Sequence, residues 1–323
     1  MKKLFIFCLG LLVLQNSKAQ VFSLLQQNPV NEFKARDGAA LVKYNNKLFL
    51  IAGWNPINIP APHLVNDFWV STNEGKSWTQ LPDAPFTPRH THGAGVLNNK
   101  LYVWGGDSNT DVWYYDEITN PSAPGWTQVT ADWGRALGGR NQFVSCIHKG
   151  YIYVGLGEEA IHSNLYRSAD GETWTKVGTD FADDLIARGR ASMASFNGSL
   201  YIIGGGQFKG SGSQHDLYGS VWQSVDDGIT WKKGIAYNDR LKTLWGNLAV
   251  MDGYMFFIRG IDEIGNNSKG ILYTADGFNW KELNYAIFPR HATSVWGDGN
   301  KIYIAAGNLF NDSYIITKIA DDY

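Results

Sequence analysis

The sequence predicts an all-β fold made of six copies of one four-stranded unit, and three observations carry that prediction. The first is a phrase, Arg89 to Gly106, that reads as two short apolar strands joined by an Asn98-Asn99-Lys100 turn and closed by a glycine pair. The second is its recurrence. Aligned on the aromatic of the second strand (Phe49, Tyr102, Tyr153, Tyr201, Phe256 and Tyr303), the copies follow one another in steps of 53, 51, 48, 55 and 47 residues. A strand-bearing period near fifty marks a repeat architecture. The third is composition: 36 glycines and 13 tryptophans in 323 residues supply turns and pleated surfaces rather than helices.

Residues 1–19 stand outside the repeats. Lys2 and Lys3 precede an apolar run from Leu4 to Leu14, and Ser17-Lys18-Ala19 carries small residues where a signal peptidase reads. This pattern is expected to be a secretory signal, too short to span a bilayer, which leaves a propeller domain over 20–323 and a periplasmic or secreted location. Without Lys2, Lys3 and Lys18 the chain keeps 25 basic residues against 30 acidic ones. That balance argues against nucleic acid or an anionic membrane surface as a general partner. Only Cys146 remains after cleavage, so no internal disulfide can form, and a small buried thiol is its simplest reading.

Within each repeat the second strand is a near-continuous apolar run, as in Leu101-Tyr102-Val103-Trp104 and Leu200-Tyr201-Ile202-Ile203. Such runs fit strands covered on both faces by neighbouring sheets. A third strand follows after a loop (Phe68-Trp69-Val70, Val112-Trp113-Tyr114, Val221-Trp222), and a fourth begins near Trp78, Trp126, Trp174, Trp231 and Trp280. Four antiparallel strands repeated radially describe the blades of a β-propeller. The sixth repeat ends without a fourth strand. Val21-Phe22-Ser23-Leu24-Leu25, followed by a linker and Arg36, parallels Trp78-Thr79-Gln80-Leu81, a linker and Arg89, so the N-terminal segment is expected to close blade six.

The glycine pair after the second strand (Gly105-Gly106, Gly204-Gly205, with Ala52-Gly53 and Ala306-Gly307 as variants) and the fourth-strand tryptophan resemble the Kelch repeat. The resemblance covers essentially all of the chain after the leader, although blade three has Leu156-Gly157 and blade five Arg259-Gly260 at the glycine pair. Ser224 to Trp231 also resembles the Asp-box turn of sialidases, with Ser71 to Trp78 and shorter forms at Ser168 and Thr274; turn-making by Asp side chains and glycine is sufficient reason for these residues.

Strand alternation sorts the candidate residues. Thirteen positions before each aromatic stand Arg36, Arg89, Arg140, Arg188, Thr243 and Arg290, all at the start of the innermost strand and on the face that carries the loops between second and third strands. Five arginines, joined by Arg190, would ring the mouth of the central channel. Two readings are equally open: guanidinium groups that bind a carboxylate, sulfate or phosphate, or braces that bond carbonyls and linker acids such as Asp83, Asp183 and Asp184. His90, His92 and His291 adjoin the column. Trp54, Glu158, Glu159, His162, His215, Asp216, Asp262 and Glu263 fall in loops of the same face, and Trp54 and Trp133 are candidates for stacking on a sugar ring. No spacing fits a dedicated metal site, and no cofactor is implied.

These residues lead to a binding or interaction module, taken to be a monomer, for a carbohydrate, another small anion or a protein on the loop face. An alternative follows from Gly206 to Ser211, which looks like a loop segment of the N-acetylneuraminate epimerase (sialate mutarotase) group. That resemblance implies a sugar-processing enzyme, where Glu158, Glu159 or Glu263 would act as acid or base beside an arginine-bound carboxylate. A sialidase ranks behind both, since no nucleophilic Tyr-Glu pair is evident. A copper oxidase of the galactose oxidase type needs a thioether-linked Tyr-Cys pair, whereas Cys146 falls in the first strand of blade three, where a small buried thiol is expected.

Overall fold

The computed structural model describes residues 22–57, 60–61, 63–134, 137–157, 162–182, 185, 188–235, 237–285 and 287–319. The expected leader over 1–19, together with Glu158 and Glu159, lies outside them. Six four-stranded sheets form a propeller, with a separate two-stranded ribbon, Gly206–Gln207 against Asp216–Leu217, carried by the long loop of blade four. In blade two the strands are Gly93–Leu97, Lys100–Trp104, Val112–Asp116 and Gly125–Thr130, in that order from the channel outward. Every neighbouring pair is antiparallel.

Closure follows the expected scheme. The strand Phe22–Asn28 pairs with Ser313–Lys318 and supplies the outer strand of the sixth blade, with Phe22 opposite Lys318 and Leu24 opposite Ile316. Phe22 sits edge-on among Tyr254, Phe256 and Tyr273 of blade five, 4.9–5.1 Å between ring centroids, so the clasp also packs across a blade interface. The core is divided accordingly: apolar clusters lie between successive sheets rather than in one central mass. This is why second strands such as Leu48–Ile51 and Leu200–Ile203 are apolar on both faces and wholly buried.

The turns after the third strands are closed by side chains. Asp226 Oδ1 accepts hydrogen bonds from Ser224 Oγ at 2.8 Å and from the Thr230 amide at 2.9 Å, while Ser224 Oγ accepts from the Gly228 amide at 2.8 Å. The Thr274-Asp276-Gly277 turn repeats the arrangement. The glycine pair has a different cause. At Gly106 φ is +88°, and a Cβ there would meet the His90 carbonyl oxygen at 2.8 Å and His92 Cα at 2.9 Å. The entrance to the blade's own inner strand passes too close for any side chain.

Candidate functional site: the collar and mouth of the channel

The arginine column turns inward, into the blades. Arg36, Arg89, Arg140, Arg188 and Arg290 are at most 1% exposed. In each, Nη1 donates to the carbonyl sixteen residues on: Ala52, Gly105, Leu156, Gly204 and Ala306, at 2.9–3.0 Å. Three are paired through both terminal nitrogens with a carboxylate at the start of the third strand, Arg36 with Asp67, Arg89 with Asp111 and Arg290 with Asp312. Arg140 has Asn164 there and Arg188 has Ser220. Without a countercharge, burial lowers the Arg140 guanidinium to about 10.

The expectation of ligand contact by these five guanidinium groups is corrected by their geometry. Each braces its own blade, tying the inner strand to the end of the second and the start of the third. The acids that answer them are Asp67, Asp111 and Asp312, while Asp83 accepts from Gln80 Nε2 and Asp183 and Asp184 lie outside the described residues. A local signal was present: each of these acids is followed two positions on by Trp69, Trp113 or Tyr314, whose polar hydrogen goes to the same carboxylate.

Two residues beyond the column lies the element that forms the mouth. Gly38, Thr91, Gln142, Arg190, Trp245 and Ala292 all have φ between +47° and +58°. Their backbones are linked from blade to blade: Thr91 donates to Gly38, Gly38 to Ala292, Ala292 to Trp245, Trp245 to Arg190 and Arg190 to Gln142, at 2.7–3.1 Å. The left-handed conformation costs a non-glycine residue roughly 1 kcal/mol or more. The inter-blade hydrogen bonds hold these residues in it around the channel. Such strain makes the collar a functional candidate.

Above the collar is a cavity of about 470 Å³, lined among others by Asp37, Trp54, His90, Phe208, Trp245 and His291. The Arg190 guanidinium lies against two rings that meet edge to face, 4.9 Å from Phe208 and 4.6 Å from Trp245. Burial lowers it to about 10. Trp245 Nε1 donates to Gln142 Oε1 at 2.8 Å, and the indole packs 5.3 Å from the His291 ring. His291 Nδ1 is 2.6 Å from Asn267 Oδ1, so it carries the proton and turns Nε2 toward Asp37 Oδ2, 3.6 Å away. Burial raises the Asp37 carboxyl to about 6, opposed by His90, and lowers His291 to about 4. On the other wall Trp54 packs against His90, whose Nδ1 meets Asp107 at 2.8 Å.

His90, His291 and Trp54 therefore line the mouth, and Arg190, on the channel wall, backs its rings Phe208 and Trp245. His92 lies below, buried beside the channel and lowered to about 3 by desolvation. Trp133, expected to stack on a sugar, is 3% exposed and packs on Phe143 and Trp174. His162 is half-buried near Gly157, and His215 is buried against Phe208. Asp216 pairs with Lys209 and Glu263 with Lys242, while Asp262 accepts the Ile264 and Asn266 amides. Cys146 is half-buried along the channel rather than fully enclosed. Asp37, Gln142, Phe208 and Trp245 escaped the sequence reading as mouth residues, although the collar trio of Gln142, Arg190 and Trp245 shares one offset from the column.

Radial closure of four-stranded blades over a cavity of this kind defines a six-bladed β-propeller with a small-molecule-sized mouth. The chain belongs to the Kelch-repeat family: the family model described as the KLHDC2/KLHL20/DRC7 Kelch-repeats domain matches residues 8–205. Curated relatives are distant. Beta-scruin of Limulus polyphemus is 24% identical over 123 residues, 36% of this chain and 13% of that protein. The tRNA wybutosine-synthesizing protein 2/3/4 of Oryza sativa subsp. japonica is 25% identical over 99 residues, 30% of this chain and 9% of that protein. The chain thus spans a small part of either relative. Among the described residues no helix is long and apolar enough to cross a membrane.

Proposed function

We propose that this propeller is an exported binding module that receives a small anionic ligand, a sugar acid, in the mouth above its collar. The observation that carries the reading is Arg190, which lines the channel and stands against Phe208 and Trp245, two rings that line a cavity of about 470 Å³ at its mouth. A guanidinium packed against two aromatic rings is fixed in direction and partly stripped of water, which strengthens a paired contact with a carboxylate. Trp54 and Trp245 supply faces for the apolar side of a sugar ring, and the volume suits one small ligand. The leader over 1–19 is the reason for placing it in a periplasm or outside the cell, and a monomer suffices for the site. The calorimetric test compares N-acetylneuraminate with neutral N-acetylmannosamine. The acid should bind more tightly, and Arg190→Ala should abolish that preference; equal binding of acid and neutral sugar to the native protein defeats the proposal.

Asp37 and His291 favour a second reading, a sialate mutarotase. A carboxyl raised to about 6 and a histidine of fixed tautomer, 3.6 Å apart, make an acid and base pair beside the arginine, in place of Glu158, Glu159 or Glu263. Saturation exchange between sialic acid anomers by NMR measures this. Exchange at the uncatalysed rate removes it.

A further inference from the structure

At the opposite end of the channel, on the face that carries the Asp226 and Asp276 turns, three side chains of blades three and four form a chain. Ser195 Oγ is 2.7 Å from His148 Nδ1, and His148 Nε2 is 3.0 Å from Asp227 Oδ1. His148 is 1% exposed, whereas Ser195 is half-buried and lines the channel, a space of about 500 Å³. Asp227 also receives Lys149, and the hydrogen bonds from Lys149 and His148 hold its carboxyl below its ordinary value. The carboxylate accepts from His148 Nε2–H, in the tautomer whose Nδ1 lone pair can accept the Ser195 proton.

The repeats provide an internal control. The strand register aligns His148 with Tyr44, Leu97, Phe196, Met251 and Asp298, and Ser195 with Lys43, Val96, Ile147, Val250 and Gly297. At the seam between blades six and one the two positions hold an ion pair, Asp298 with Lys43. Elsewhere they are chiefly apolar, so packing between blades does not require a hydroxyl and an imidazole here. The Lys149–Asp227 pair, in contrast, has counterparts in Lys47–Glu117 and Lys301–Glu74, which join a hairpin to the next blade's turn. Blade three has placed a histidine against a carboxylate that the architecture already supplies.

We propose that Ser195 is a nucleophile activated by His148 and oriented through Asp227, able to take an acyl or phosphonyl group from a small electrophile in the channel. Ser195 Oγ would form a bond to the carbonyl carbon of an ester as its proton passes to His148 Nδ1. The tetrahedral adduct then expels the alcohol, which takes that proton, and water attacks the acyl-serine by the same route. Ser195 neighbours the pair that closes its hairpin, Phe196 with Ser199, so alternation turns its own N–H away from the second strand and toward the channel. There it can face the oxyanion.

The test uses a small fluorophosphonate on the intact purified protein, with labelling located by peptide mass spectrometry. The serine oxygen–phosphorus bond forms, fluoride leaves, and the serine proton goes through His148 to solvent. Label should appear on Ser195, vanish in Ser195→Ala, and form about a hundredfold more slowly in His148→Gln, in the range ascribed to a positioned base. Asp227→Asn, at a half-exposed carboxylate, is a second variant should His148→Gln misfold; it should slow labelling and p-nitrophenyl acetate hydrolysis together. Ser195 left unlabelled in the native protein, or labelled at the native rate in a folded His148→Gln or Asp227→Asn protein, overturns the proposal.

Discussion

Arg188 and Arg190 are two residues apart, on the same inner-strand entrance, and have opposite surroundings. Arg188 recurs in five blades, is buried, and donates to the Gly204 carbonyl as its counterparts do to theirs. Arg190 belongs to the collar, whose side chains differ from blade to blade, and stands against Phe208 and Trp245, which line the mouth. Periodicity separates the two roles. A contact that every blade needs fixes the same residue in each, whereas an asymmetric ligand needs different groups around one axis.

The column and the collar can be set against each other experimentally. The largest effect is expected at Arg290. Its replacement by alanine leaves Asp312, 4% exposed, without its countercharge, and should cost about 3–5 kcal/mol in denaturant unfolding. A loss below 1 kcal/mol would mean that the column is not a set of braces.

At the mouth the sign reverses. Burial raises Asp37 to about 6 from an ordinary 3.8, so its contribution to stability is present below about pH 4 and is lost as pH rises through 6. Asp37→Asn removes that loss. It should stabilise the protein at pH 7 by on the order of 2–3 kcal/mol and have little effect at pH 4, as followed by thermal unfolding at both values. Stabilisation equal at both pH values would remove carboxylate burial as the cause.

Trp245→Ala strips one face from Arg190. Binding of a sugar acid should fall about tenfold, equivalent to about 1.4 kcal/mol, and a titration in which affinity is unchanged would move the ligand away from the collar. The smallest effect sharpens the column itself. Asn164→Asp gives Arg140 the carboxylate that Asp67, Asp111 and Asp312 provide elsewhere, and should raise stability by about 1 kcal/mol in urea unfolding.

The six-fold architecture was legible because it depends on local, repeated requirements. Glycine pairs permit close approach of the next blade, apolar second strands fill the space between sheets, and Phe22 to Leu25 resembles the outer strand that the sixth repeat lacks. The arginine column was legible as a column, but its direction was not. Whether a guanidinium points to solvent or into its blade depends on the Ala52-type carbonyls and the Asp67-type acids, which lie 16 to 31 residues away in sequence. Arg190, His90, His291 and Trp54 were placed on the loop face by strand alternation, yet Trp133 fell into a core that alternation does not describe.

The sequence by itself determined the strand order, the number of blades, the closure by the first strand and the face on which the arginines begin. Each of these follows from periodicity and burial along the chain. Only the tertiary structure decided which groups meet. The collar joins residues from six blades through backbone bonds, and the Ser195–His148–Asp227 chain joins two blades. Such contacts are fixed by the curvature of the closed ring, which brings together positions that no local pattern relates.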